Sequence, residues 1–268
     1  MTDLSFVETQ DGTRLGYRVV GSGPARVALT HSLAMDHAFW LPVAEKLADR
    51  AQVLVWDCRG HGASGKPEGP YAVRGFADDL AAIFDAIGWS DAAVAGASMG
   101  GCVTLAFAER YPDRTAALGL FDTTAWYGAS APQDWEGRAA KAEAEGLSSL
   151  IAFQKTRWFG DAFRAAQPEV VEACVDVFLK NDLAAYGATC RMLGRADLRE
   201  ALEEIDVPTR ILVGEEDYAT PPEMSRMMAS AIAGSVLTVL EGGRHLTPIE
   251  FPEVIADEIA QLIGEVQS

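Results

Sequence analysis

Ser98, Asp217 and His245 stand far apart in the chain, yet together they could carry out one reaction. A serine hydroxyl is a weak nucleophile until a base takes its proton. Histidine is the usual base, and a carboxylate fixes its tautomer and stabilises the imidazolium that forms. The chemistry would be attack on a carbonyl carbon and acyl transfer. Ser98 lies in "GASMGG", Gly96 to Gly101, whose first five residues fit G-x-S-x-G. So short a pattern also fits a glycine-rich turn with an incidental serine, so its surroundings must decide.

The surroundings favour a nucleophile. "DAAVAGA" before Ser98 is strand-like and "MGGCVTLAFAERYP" after it is helical, which predicts a sharp strand-to-helix turn. Such a turn brings the residues two before and two after the serine together, so both must be small, as Gly96 and Gly100 are. The helix N-terminus then favours negative charge beside Ser98. His245 lies in "EGGRHLTPIEFPE", a loop between the last strand and the last helix. In a parallel sheet that loop shares the carboxyl edge with the Ser98 turn. "LVGEEDYATPP" offers three acids at that edge: Glu215, Glu216 and Asp217. Asp217 is preferred because the turn after it can aim it at His245. Asp122, ending the strand "LGLFD", is the second candidate, with a turn cap as its bland role. His61 sits among turn residues and reads as scaffolding, and His31 and His37 lie early in the chain. An oxyanion needs backbone N–H donors, assigned to Met99, which follows the nucleophile, and to Leu33 in "HSLAMD".

Elements that could hold these residues run through the chain. "SFVET" and "RLGYRVV" alternate as paired strands about Asp11-Gly12. Short apolar runs then alternate with helical segments as far as "AALGLFD", which predicts an α/β domain with a parallel sheet covered on both faces. From 123 to 200 the pattern is helical only, and after Ile205 the strand-helix alternation resumes. The reading is one core, residues 1–122 and 201–268, interrupted by a helical cap, 123–200.

Composition narrows the function. At 268 residues the chain can bury a sizeable core, and 49% hydrophobic against 23% charged residues is a soluble balance. A net charge of −17 with no offsetting basic run repels phosphate backbones and anionic headgroups, so neither nucleic acid nor membrane is an expected partner. The first residues carry no signal-peptide pattern and no apolar stretch is long enough to span a bilayer, so a cytoplasmic location is expected. Cys58, Cys102, Cys174 and Cys190 are scattered without a C-x-x-C, so neither a disulfide framework nor a metal is expected. The expected partner is a small-molecule substrate, with homo-oligomerisation left open.

On "HSLAMDHAFW", "VLVWDCRGHGASGKPEGPY", "GASMGG", "RWFGDAFRAAQPE", "DLREALEEIDVPTRILVGEEDYATPP" and "GGRHLTPIEFPE" the chain resembles the α/β-hydrolases over essentially its full length. Within them it is most similar to the 3-oxoadipate enol-lactonases. That resemblance implies an eight-stranded, mostly parallel α/β-hydrolase sheet with helices on both faces and a helical cap insertion. It implies Ser98, Asp217 and His245 as triad, Leu33 and Met99 as oxyanion donors, and hydrolysis of a small carboxylate-bearing lactone without a cofactor. The chain departs from the resemblance at "TTAWYGAS", where Trp126 and Tyr127 stand in place of an expected basic residue.

Trp126, Tyr127 and Trp158 are the aromatic candidates for the substrate pocket, although Trp158 with Phe159 could equally anchor the cap's own core. Arg138, Lys141, Arg157, Arg191 and Arg195 are the cations available to meet a substrate carboxylate. The alternatives are a carbon–carbon bond hydrolase of a diketone-type ring-fission product, using the same triad, and a ligand-binding module without catalysis.

Overall fold

A computed structural model describes residues 4–267. Two antiparallel strands open the chain, β1 (Ser5–Glu8) and β2 (Arg14–Val20), joined where Gly12 takes φ 81°. Then follow β3 (Ala25–Thr30), α1 (Leu41–Leu47, entered through a 3-10 turn at His37–Trp40), β4 (Ala51–Trp56), α2 (Val73–Ile87), β5 (Ala92–Ala97), α3 (Met99–Arg110) and β6 (Thr115–Phe121). Five helices come next: α4 (Ala131–Glu145), α5 (Ile151–Trp158), α6 (Asp161–Ala166), α7 (Pro168–Leu179) and α8 (Leu183–Arg195). The chain ends with β7 (Thr209–Gly214), α9 (Pro222–Ala231), β8 (Val236–Leu240), α10 (Thr247–Glu250) and α11 (Pro252–Gln267).

The eight strands form one sheet in the order β1-β2-β4-β3-β5-β6-β7-β8. β2 pairs antiparallel with β4, and every pairing from β4 to β8 is parallel. The central strands are apolar throughout because both faces are covered: all six residues of β5 and of β7 are buried. α2 buries Phe76, Leu80, Ile83 and Phe84 at helical spacing and stops at Gly88, which takes φ 72°.

The order of strands puts β3, β5, β6 and β7 side by side with their carboxyl ends at one edge, where the candidate residues emerge. Helices α4 to α8 lie between β6 and β7 in sequence. Their chain leaves and returns side by side: Trp126 bridges Asp197, and the Leu198 N–H bonds the Ala125 carbonyl at 2.9 Å. Among the described residues no helix is long and apolar enough to cross a membrane.

Candidate active site

Ser98 stands between β5 and α3 with φ 54° and ψ −117°, a conformation L-residues avoid. The turn is stapled from both sides: the Ser98 N–H bonds the Phe121 carbonyl at 2.9 Å, and Thr123 Oγ1 donates to the Ser98 carbonyl at 2.7 Å. Gly96 and Gly100 are required by contact. A Cβ on Gly96 would lie 2.1 Å from the Gly100 oxygen, and one on Gly100 would lie 2.0 Å from the Thr30 oxygen.

The three distant residues meet in one row. Ser98 Oγ lies 2.9 Å from His245 Nε2, and His245 Nδ1 lies 2.8 Å from Asp217 Oδ2. All three are buried. The turn after β7 fills the remaining lone pairs of Asp217: Oδ1 accepts from the N–H groups of Ala219 (2.7 Å) and Thr220 (3.0 Å), and Oδ2 from Thr220 Oγ1 (2.8 Å). Burial alone would raise this carboxyl, but the His245 ring and the Thr220 donors outweigh it and hold it below the usual carboxylate range. It is therefore ionised, the state that favours a proton on Nδ1 and leaves Nε2 free to accept from Ser98.

Met99 follows Ser98 directly, and Leu33 follows β3, the strand paired with β5. Met99 is the first residue of α3, where an N–H has no intrahelical partner. Leu33 lies in a turn closed by the Met35 N–H on the Ser32 carbonyl (3.1 Å). The other histidines are tied elsewhere. His31 Nε2 accepts from the Cys58 N–H, His61 Nδ1 donates to the Arg59 carbonyl, and His37 pairs with Asp57. The four cysteines are buried and free. No cluster of His, Cys, Asp or Glu among the described residues could hold a metal ion.

A cleft of roughly 190 Å³ is lined by Tyr127, Asp134, Trp135, Arg138, Arg157 and Met224, among others, and by Ala219, two residues after Asp217. Tyr127 joins the cleft to the row, with its hydroxyl beside Ser98 and 3.8 Å from Cys102 Sγ. Burial, then the neighbouring Cys102, push that phenol well above its ordinary range, so it stays a neutral donor. Of the five cations, two face carboxylates, and a third, Arg195, does not line the cleft. Arg191 is gripped by Glu136 and Glu143, Lys141 faces Glu145 at 3.9 Å, and Arg195 Nη2 lies 3.4 Å from the Tyr71 carbonyl. Arg138 donates to the Tyr186 hydroxyl at 2.7 Å; among the described residues Arg157 has no hydrogen-bond partner and neither arginine forms an ion pair. Burial first, then the adjacent Arg138, bring Arg157 down to about 10, so it is still a cation at neutral pH.

Two of the three aromatic candidates lie away from the cleft. The Trp126 ring is covered by Arg199, 3.9 Å from its centroid, because the backbone bridge to Asp197 brings that arginine over it. Trp158 is buried against Phe178 and Phe159 in the core of the helical segment. Trp135 lines the cleft instead, edge-on to Tyr127.

A mostly parallel sheet with an elbow serine at the carboxyl end of an interior strand is an α/β-hydrolase architecture. Residues 26–252 match the model of the family described as the alpha/beta hydrolase fold, and the chain belongs to that family. It is 30% identical over 247 residues to a 3-oxoadipate enol-lactonase of Acinetobacter baylyi, across 91% of each chain. The crystal structure of the enol-lactonase from Burkholderia xenovorans is similar at a TM-score of 0.92 and 32% identity, over 97% of this chain and 100% of that one. A thermophilic esterase from Thermogutta terrifontis, with malate bound, gives a TM-score of 0.93 at 28% identity over 100% of both chains.

Proposed function

We propose that this chain is a serine hydrolase that opens a small lactone or carboxylic ester bearing a carboxylate, and that residues 123–200 form the cap that selects it. The observation that carries the reading is the hydrogen-bonded row Ser98–His245–Asp217, linked through Tyr127 to a cleft in which two guanidinium groups form no ion pair.

Ser98 Oγ attacks the carbonyl carbon while His245 Nε2 takes its proton, and the imidazolium is stabilised by Asp217. The N–H groups of Met99 and Leu33 hold the oxyanion. As the tetrahedral intermediate collapses, the C–O bond breaks and His245 returns the proton to the leaving oxygen. In a lactone that oxygen stays tethered to the acyl chain; in an enol-lactone it becomes an enol that tautomerises to a ketone. Water, activated by His245, then attacks the acyl-Ser98 ester and frees the acid.

Arg157 and Arg138 meet the substrate carboxylate. The support is electrostatic: at a net charge of −17 the long-range field repels an anion, and Asp134 lines the same cleft, so the two arginines, which form no ion pair among the described residues, have to act locally. The relatives fit this reading, two being enol-lactonases and one an esterase holding malate, a dicarboxylate. The test is a fluorophosphonate probe with tryptic mass spectrometry, followed by a spectrophotometric screen of small lactones, p-nitrophenyl esters and diketone ring-fission products. An adduct on Ser98 and preference for carboxylate-bearing lactones or esters is expected. No adduct, or turnover of ring-fission products alone, overturns the reading.

A further inference from the structure

The turn that carries Leu33 is strained. It runs from Ser32 to Met35 with Leu33 and Ala34 at its centre, and Ala34 takes φ 61°. Glycine is the usual residue there, because a Cβ is penalised in the left-handed region. An alanine at that position needs the surrounding structure to hold it. From the core side, His31 Nδ1 donates to the Ser32 carbonyl at 2.8 Å. From the other side the hold comes from the helical insertion, where Asn181 Nδ2 donates to the Ala34 carbonyl at 2.8 Å.

Asn181 is well placed to do this. It follows α7, and its amide nitrogen also reaches the Val177 and Phe178 carbonyls, each at 3.1 Å. All three acceptors are carbonyl oxygens, so the amide has one sensible orientation, with nitrogen toward them. The end of α7 presets the side chain, which then spans to the core at a single point, the carbonyl of the strained residue next to Leu33.

We infer that Asn181 is a positioning residue for the oxyanion hole: from the insertion it holds the Ser32–Met35 turn in the conformation that aims the Leu33 N–H at the developing oxyanion. This rests on the proposed hydrolase reading and adds a part of the insertion to its machinery. Asn181 touches no reacting atom in that scheme; it acts through Ala34. With it removed, the turn relaxes away from the left-handed region and one donor loses its alignment. Outright loss of an oxyanion donor costs about 10²–10³ in kcat, and misalignment should cost roughly 10-fold. A glycine at 34 has no left-handed penalty, so it should restore much of the loss.

The experiment compares wild type, Asn181→Ala, Asn181→Ser, Ala34→Gly and the Asn181→Ala/Ala34→Gly pair. The serine variant keeps a hydroxyl to cap α7 but is too short to reach Ala34, so it decides the matter if Asn181→Ala fails to fold. Each is measured for kcat and KM on the best ester or lactone, for Ki of a boronic acid that forms a tetrahedral Ser98 adduct, and for Kd of the carboxylic acid product. The expected result is a kcat lower by roughly 10-fold at nearly constant KM. Boronate affinity should fall by the same factor, product affinity should hold, and Ala34→Gly should recover most of the loss. A kcat within twofold of wild type, a parallel fall in boronate and product affinity, or no recovery with Ala34→Gly overturns the inference while wild-type labelling of Ser98 leaves the hydrolase reading standing. A wild type that does not label overturns both.

Discussion

Asp122 and Asp217 emerge from neighbouring strands, β6 and β7, but only Asp217 reaches His245. Asp122 is turned the other way: Oδ1 accepts from the Gly214 N–H at 3.1 Å, and Oδ2 from the Thr247 N–H at 3.0 Å and Thr247 Oγ1 at 2.6 Å. It ties the end of β6 to the end of β7 and to the first turn of α10, two residues after His245. Burial, then the negative charge of Asp217, push its carboxyl well above the usual range. The two acids should therefore separate by role. Asp217→Asn should lower kcat by about 10⁴ with the fold intact, since the amide favours the wrong imidazole tautomer. Asp122→Asn sets an amide N–H₂ against donors, so it should cost about 1–3 kcal/mol of stability and far less in kcat. Rates and thermal melts of both variants check this, and a larger kcat loss for Asp122→Asn would exchange their roles.

Arg157 should discriminate by substrate charge. A charge-assisted hydrogen bond contributes about 1.5–3 kcal/mol, or roughly 10- to 150-fold in affinity. Arg157→Met should raise KM by that order for a carboxylate-bearing ester and leave a neutral ester of similar size nearly unchanged. Arg138→Met should act in the same direction but also cost stability, because Arg138 lies over Trp135 and bonds Tyr186. Equal effects on the charged and the neutral ester would remove both arginines from substrate binding.

Arg244 precedes His245 and binds the helical segment to the row. Its Nη1 donates to the Thr156 and Phe159 carbonyls at 2.9 and 3.2 Å, and its Nη2 to Glu216 Oε2 at 2.7 Å, next to Asp217. Glu250 completes the join by accepting from the backbone of both Gly160 and Arg244. Arg244→Met should lower kcat by roughly 10-fold through loss of alignment and speed proteolytic cleavage around residues 159–168. Unchanged cleavage and unchanged kcat would show that the other contacts hold the segment unaided.

The sheet and most helices were legible because burial imposes period: two-sided strands read as continuous apolar runs, and α2 repeats its apolar residues at helical spacing. α6 and α10, of six and four residues, are too short to show a period. The elbow was legible because its small residues are demanded by contacts of about 2 Å. The cleft was not. Arg191 and its acids lie 48 and 55 residues apart, so no local spacing marks Arg191 as occupied and Arg157 as open. Trp126 shows the same limit, since its ring is covered by an arginine brought over it through a non-local bridge. Asn181 and Arg244 carry no motif. Only the adjacency of Arg244 to His245 could have drawn attention to it.

The pair His37–Asp57 should leave a mark on stability against pH. Asp57 is fully buried, and its Oδ1 accepts from both the backbone N–H and Nδ1 of His37, at 2.6 and 2.9 Å. Burial alone would lower His37, but the hydrogen bond and charge of Asp57 outweigh it and raise its pKa above 6.5. Burial alone would raise Asp57, but the bond to His37 outweighs that and lowers its pKa below 3.8. A raised histidine stabilises the fold in full below its unfolded value and loses that contribution as pH rises through its folded value. A depressed carboxylate contributes in full above its unfolded value and loses that as pH falls through its folded value. Both contributions are therefore complete between about pH 4 and 6.5. His37→Gln keeps the backbone bond but removes the titrating cation. The Tm gap between wild type and His37→Gln should be widest near pH 5.5 and narrow as pH rises toward 9, once His37 is neutral in both folded and unfolded chains. Thermal melts at half-unit steps measure this gap, and one that stays constant or widens with pH would show that the bond is made by a neutral imidazole throughout.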